Sequence, residues 1–414
     1  MYIFKTLSNG IRVVAEEIPY LKSVSIGVWV GNGSRNEKKE ENGISHFIEH
    51  MLFKGTKKRS AAQIADEIDA VGGQINAFTA REYTCFYTKT LDAHAEIAMD
   101  ILSDMIFNPK LSEEDIILER GVINEEINMY EDSPEDLVYD LYSYAAWGDT
   151  PMGRTILGTP ETLEKINSDS MRAYIKSHYT SDNIIISVSG NLCENFFALL
   201  EQFFGNNRLI KGKPLMEEAH YSPGSILKTK DTEQLQLVVG FNGIDIMDES
   251  VYSLLVFNNV FGCGMSSRLF QNIREKYGLV YSIYAAHSAY IGTGSFDIAA
   301  GMSAENLGRV AELICGEINT IKHSKLSKSE VDRAKEMLKG SYILGYESTG
   351  ARMQGAGRSL LIGKKIHTQE EALKMIDDVS VASVGEIIDR VLDISTLSAA
   401  AVGQTDSIDG LFRF

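Results

Sequence analysis

Apolar and polar residues alternate along two stretches of the chain, SVSIGVWVG at 23–31 and LQLVVGFNG at 235–243. Both read as β-strands. A third run, GGQINAFTAREYTCFYT at 72–88, opens on a glycine pair and continues in the same alternation. Elsewhere the spacing turns helical. In ENGISHFIEHMLFKGT, residues 41–56, the apolar Ile44, Phe47, Ile48, Met51 and Leu52 gather on one arc of a helical wheel. KLSEEDIILERGVINEEINMYED, residues 110–132, predicts a second helix with Ser112 as N-cap and acidic residues in its first turn. Its Ile116, Leu118, Val122, Ile123, Ile127, Met129 and Tyr130 form a broad apolar arc.

The order of elements repeats. KLSEEDIILERGVINEEI from 110 aligns without a gap on KLSKSEVDRAKEMLKGSY from 325, over 18 residues. Each is preceded by an alternating run and a helical segment, TCFYTKTLDAHAEIAMDIL in the first half and GSFDIAAGMSAENLGRVAEL in the second. ESVYSLLVFNNVFGCG, from 249, is the counterpart of the helix around residue 46 when the two are aligned by their leading Glu. An α+β fold repeated twice is therefore expected, with domains at 1–210 and 225–414. The linker, 211–224, lies in a stretch where Gly, Asn, Pro and charged residues interrupt the periodic patterns.

Composition narrows the partners. With 57 acidic against 40 basic residues the formal charge is −17 at pH 7, which disfavours nucleic acid and anionic membrane. If part of this charge lines an internal chamber, basic peptides would be favoured there. No stretch approaches the roughly 20 apolar residues of a membrane span, and the start MYIFKTLSNG lacks the regions of a signal peptide. A cytoplasmic location is expected. Cys85, Cys193, Cys263 and Cys315 show no CxxC pairing and read as reduced, mostly buried thiols. GVWVGNGS has neither the Lys nor the following helix of a phosphate-binding loop.

The chemistry concentrates at HFIEH. His46 and His50 stand four apart, so on a helix one Zn²⁺ can reach both imidazoles. Glu49 borders the same face, placed to take a proton from water held by the metal. The bland alternative is a pair of satisfied histidines on an amphipathic helix, and a third ligand decides between the two. On the wheel of 110–132, Glu119 and Glu126 fall near the centre of the apolar arc, whereas Glu125 falls at its edge. Carboxylates buried there cost several kcal/mol unless a cation compensates. Glu126 is accordingly the expected third ligand and Glu119 its orienting partner, with Glu125 the weaker alternative. Two neutral histidines and one carboxylate leave an open fourth position, the arrangement of a catalytic zinc. In the repeat register Glu119 meets Ala334 and Glu126 meets Ser341, while Leu254, Phe257 and Asn258 stand where the first half has His46, Glu49 and His50. The second half is expected to be metal-free and to serve substrate binding and enclosure.

HFIEH at 46–50, ERGVINEE at 119–126 and GCGMSSRLFQNIREKYGLVYSIYAA from 262 together resemble the inverzincin metallopeptidases, the family of insulin-degrading enzyme, pitrilysin and the mitochondrial processing peptidase. The resemblance spans essentially the whole chain. Its size and the segment MYEDSPE at 129–135 are most similar to short bacterial members related to the processing peptidase. The resemblance implies two homologous domains, each a mostly antiparallel sheet with helices packed on one side, and a zinc endopeptidase with one Zn²⁺ per chain. It implies that Asn76, Ala77, Phe78 and Thr79 lie on an edge strand that pairs with substrate backbone. It also implies that Arg274 and Tyr281 approach the scissile bond, Tyr281 as a donor to the developing oxyanion. Long relatives join four such domains, so a chain with two is expected to form a homodimer with composite active sites, enclosing short or unfolded peptides. The competing readings are a non-catalytic scaffold or assembly subunit of the same fold, and a zinc hydrolase acting on a non-peptide substrate.

Overall fold

Residues 2–414 are described by the computed structural model. The first half supplies strands β1 (Tyr2–Thr6), β2 (Arg12–Glu17), β3 (Ser23–Val30), β4 (Gln74–Thr79), β5 (Thr84–Leu91) and β6 (Ile184–Gly190). They join in the order β1-β2-β6-β3-β5-β4. Neighbours are antiparallel except β2 and β6, which run parallel. The second half supplies β7 (Ser225–Thr229), β8 (Leu235–Asn242), β9 (Val280–Tyr290), β10 (Thr293–Met302) and β11 (Ser398–Gly403). Their order is β7-β11-β8-β10-β9, again with one parallel pair, β7 and β11. Apart from the extra β1, the two sheets follow one plan. The alternating run at 72–88 is not one strand but two, β4 and β5, turning back on each other at Ala80, whose N–H bonds to Tyr83 O.

The helices of the first half include α1 (Ile44–Leu52), α2 (Ala61–Asp69), α3 (Ala95–Phe107), α4 (Glu113–Asp132) and α5 (Pro134–Trp147). Strand β3 shows how the period of two sorts the layers. Its Val24, Ile26, Val28 and Val30 enter a core with Phe47, Ile48, Met51, Met99 and Leu102 of α1 and α3. Its other face, Ser25, Gly27 and Trp29, meets the helix Thr349–Ile362. Ser25 Oγ lies 2.9 Å from Thr349 Oγ1, a Cβ on Gly27 would fall 2.3 Å from Met353 Sδ, and one on Gly357 would fall 2.3 Å from the Trp29 indole nitrogen. Positions 349, 353 and 357 are one turn apart, so a single helical stripe covers alternate residues of the strand.

By its packing the chain divides into two compact units, one of residues up to 127 with 155–217 and 345–368, the other of 128–154, 218–344 and 369–414. These units do not follow the expected division at 210/225. The helix Thr349–Ile362, from the second half, lies on β6, β3 and β2, and α5, from the first half, lies on β11 and β8. The reason is exposed apolar surface: Val238, Ala400 and Val402 form a hydrophobic face that α5 covers with Leu137, Val138, Tyr142 and Trp147. Each unit thus has one helix on the sheet face opposite its main core. Residues 208–224 carry no regular secondary structure.

One expectation needs correcting. The broad apolar arc of α4 does not form a buried face: Leu118 is 67% and Met129 62% exposed, Val122 and Tyr130 are exposed as well, and the buried residues are Ile116, Glu119 and Ile123. Helix α4 packs along a narrow seam, not a wide stripe. Of the cysteines, Cys85 and Cys315 are buried, Cys193 is half-buried and Cys263 exposed, all unpaired. No helix among the described residues is long and apolar enough to cross a membrane.

Candidate metal centre

Helix α1 begins at Gly43, whose φ of 95° lies in the left-handed region and whose Cβ, if present, would fall 2.6 Å from Leu157 O. Glycine offers no capping side chain, and Glu37 supplies the missing acceptor. Its carboxylate takes the N–H groups of Gly43 and Ser45, both at 2.8 Å, and Asn42 Nδ2 at 3.0 Å. Burial pushes this carboxyl up to about 7 even against those donors. Ile44, Phe47, Ile48, Met51 and Leu52 are buried in the core, as the wheel requires. That packing turns His46, Glu49 and His50 toward α4.

Glu126 Oε2 lies 3.7 Å from Nε2 of His46 and 3.7 Å from Nε2 of His50, and the three groups offer ligand atoms within 4.8 Å of one another. Ligands about 2.1 Å from a tetrahedral zinc stand about 3.4 Å apart, so the spacing suits such an ion. Among the described residues this is the one group of His, Cys, Asp or Glu with such geometry. Burial, with His50 beside it, pulls His46 down to about 3, leaving a neutral imidazole with a lone pair to give. His50 behaves differently. Burial opposes its charge, but the hydrogen bond and charge of Glu119, with Glu126 and Glu49, outweigh burial and raise its pKa. The bond runs from His50 Nδ1 to Glu119 Oε1 at 2.8 Å and directs the Nε2 lone pair at Glu126 and His46. Three carboxylates around two imidazoles make a pocket of negative charge, and the donor set of two imidazole nitrogens and one carboxylate fits zinc.

Glu119 is buried and Glu126 half-buried, whereas Glu125 faces outward. The second oxygen of Glu119 holds Lys54 Nζ at 2.5 Å. Burial opposes the Glu119 charge, yet the bonds from His50 and Lys54 prevail and lower its pKa. Burial raises the pKa of Glu49, while a bond from Thr79 Oγ1 to its Oε2, at 2.5 Å, works the other way. Asn76, Ala77, Phe78 and Thr79 lie on β4, an edge strand bonded only to β5. Arg274 and Tyr281 belong to the other unit. The Arg274 guanidinium stacks 4.6 Å over the Phe270 ring, and Tyr281, 71% exposed, is the second residue of the edge strand β9.

Sequence reasoning passed over three groups. Lys54 left a trace, a cation one turn after His50. Glu37 sits in RNEKKEEN, 35–42, where nothing separates it from solvated charges. The pairing of Thr79 with Glu49 joins residues that no local pattern links.

Family models agree with the two-part plan. A model described as Insulinase (Peptidase family M16) matches residues 12–160, and one described as Peptidase M16 inactive domain matches 165–338. The chain is 44% identical over 380 residues to an uncharacterised zinc protease of Bacillus subtilis, YmxG, covering 92% of this chain and 93% of that one. It is 37% identical over 396 residues to an uncharacterised zinc protease of Streptomyces coelicolor, covering 94% and 86%. A solved protease from Helicobacter pylori superposes with a TM-score of 0.90 at 20% identity, covering 98% of this chain and 99% of that one. A structure titled peptidase M16 inactive domain, from Pseudomonas fluorescens, gives 0.91 at 19% identity, covering 98% of each; at such identity these two speak for the fold. From its sequence matches along nearly its whole length, the chain belongs to the insulinase family, the zinc-dependent peptidase family M16.

Proposed function

We propose that this chain is a zinc metalloendopeptidase that cleaves short or unfolded peptides, presequence-like extensions among them, with Glu49 as general base. One observation carries the reading: His46 and His50 of α1 meet Glu126 of α4 with Glu49 beside them and Glu119 fixing one imidazole. His46 and His50 would hold the ion through Nε2, and Glu126 through a carboxylate oxygen. Zinc in that position lowers the pKa of a water toward about 7 and polarises a carbonyl. Glu119, bonded to Nδ1 of His50, fixes the neutral tautomer that turns Nε2 to the ion. Glu49, its Oε2 engaged by Thr79, presents Oε1 to accept a proton from the attacking water and passes it to the departing amine. Burial raises the affinity of Glu49 for that proton, which suits a group that must both take and return it.

In the same reading the open edge of β4 pairs with substrate backbone at Asn76, Ala77, Phe78 and Thr79, binding largely without regard to side-chain sequence. Residues 1–210 carry the catalytic centre and 225–414 the metal-free surface for binding and enclosure. Tyr281 donates a hydrogen bond to the developing oxyanion, with Arg274 on a substrate carbonyl. Both come from a second copy of the chain, so that a homodimer encloses the peptide.

The test is zinc content together with cleavage of a quenched peptide library. The wild type is expected to hold about one zinc per chain and to lose cleavage on chelation. Glu49→Gln is expected to keep its zinc and to lose about a thousandfold in rate. Wild-type turnover in Glu49→Gln would remove Glu49 from its role, and a chain that takes up no zinc would end the reading.

A further inference from the structure

Glu49 is a long side chain whose use as a base depends on where its two oxygens point, and the hydrogen bond it receives comes from Thr79. Thr79 closes β4, the edge strand. Its hydroxyl has one proton to give. Thr84 Oγ1 stands 3.4 Å away on the paired strand, but it spends its own proton on Asn32 O at 3.0 Å. The Thr79 proton is left for the carboxylate. Asn32 is in turn tied to α1, because its Nδ2 donates to Ser45 Oγ at 3.2 Å and its Oδ1 accepts from Tyr174 OH at 3.1 Å. Thr84, paired with Thr79 across the two strands, thus links the donor's neighbour to the network that holds the helix bearing Glu49.

The backbone of β4 adds a second observation. Ala80 N–H bonds inward to Tyr83 O, and Ala77 N–H is taken by its neighbour's Asn76 Oδ1 at 2.8 Å. By the alternation of antiparallel pairing, the N–H groups of Ile75, Ala77 and Thr79 face the open edge. Thr79 therefore turns its amide to any chain that docks on the edge and its hydroxyl to Glu49.

We propose that Thr79 is a positioning residue for the base: its hydroxyl fixes Glu49 Oε2, leaving Oε1 for the reacting water, and its amide aligns the docked peptide with that oxygen. The inference rests on the reading of Glu49 as base. Thr79→Val keeps the β-branched shape that suits a strand and removes only the donor. It is expected to lower kcat tenfold to a hundredfold, with KM within about twofold of wild type, and with zinc content and Tm unchanged. Thr79→Ser restores most of kcat, and Thr79→Ala behaves as Thr79→Val. In a Glu49→Gln background, Thr79→Val adds no further loss. Wild-type kcat in Thr79→Val, a raised KM with kcat intact, or an equal loss in the Ser and Val variants would each overturn the assignment. Full activity in Glu49→Gln sinks the proposed function itself, whereas an inactive Glu49→Gln beside a fully active Thr79→Val sinks only the role of Thr79.

Discussion

Glu119 places both oxygens in ion pairs, one with His50 and the other with Lys54, so a neutral replacement disturbs an imidazole and an ammonium at once. Glu119→Gln can still accept from Nδ1 but no longer strengthens His50 as a ligand. Zinc affinity is expected to fall tenfold to a hundredfold, read by competition with a chelating dye; an unchanged affinity would reduce Glu119 to a packing partner of α1. Part of this site was legible beforehand. His46, Glu49 and His50 share one helix, where angular spacing alone decides which face each takes, whereas Glu126 was preferred to Glu125 from an apolar arc on α4 that the fold leaves largely exposed. Glu37 and the Thr79–Glu49 bond were not legible, because each depends on how segments far apart in the chain approach one another. In sequence Glu37 is one more charge in a polar run, yet in the fold it is fully enclosed and caps α1.

The helix Thr349–Ile362 lies close enough to β3 for two of its glycines to have opposite roles. Gly357 faces the Trp29 indole with no room for a methyl group, whereas Gly355 has nothing within 4 Å. Gly357→Ala is expected to destabilise by about 1–3 kcal/mol through overpacking against the rigid ring, while Gly355→Ala gains about 1 kcal/mol from helix propensity. Urea midpoints of the two variants check this, and equal shifts would contradict the close approach. At this scale the pattern located β3 and β8, though it did not show that both faces of each strand are covered. It did not mark the turn within 72–88, where residues facing each other on β4 and β5 differ in parity and the alternation changes phase. It failed again on α4, because a wheel counts apolar residues without knowing whether a surface faces them. Ile116 and Ile123 meet the core, and Leu118 and Val122 meet none.

The duplication read from sequence has a structural counterpart down to single bonds. Ser112 bonds to Asp115 ahead of α4, and Ser327 bonds to Glu330 at the same spacing ahead of the helix Lys328–Gly345. Buried Ile116 and Glu119 correspond to buried Val331 and Ala334. What the gapless alignment could not reveal was the exchange of α5 and Thr349–Ile362, since a helix carries no mark of which sheet it will cover. If active sites are shared between copies, co-expressing Glu49→Gln with Tyr281→Phe assembles one site per mixed dimer with both groups intact, and about a quarter of wild-type activity should return. Activity no higher than the mean of the two parents would deny that sharing. The exchanged helices bear on how such a chain could arise. Two half-length ancestors, each lending its helix to the other's sheet, would have been an interlocked pair whose survival depended on concentration. Fusing the genes makes that clasp intramolecular, and it releases one copy from having to keep the residues that grip an ion.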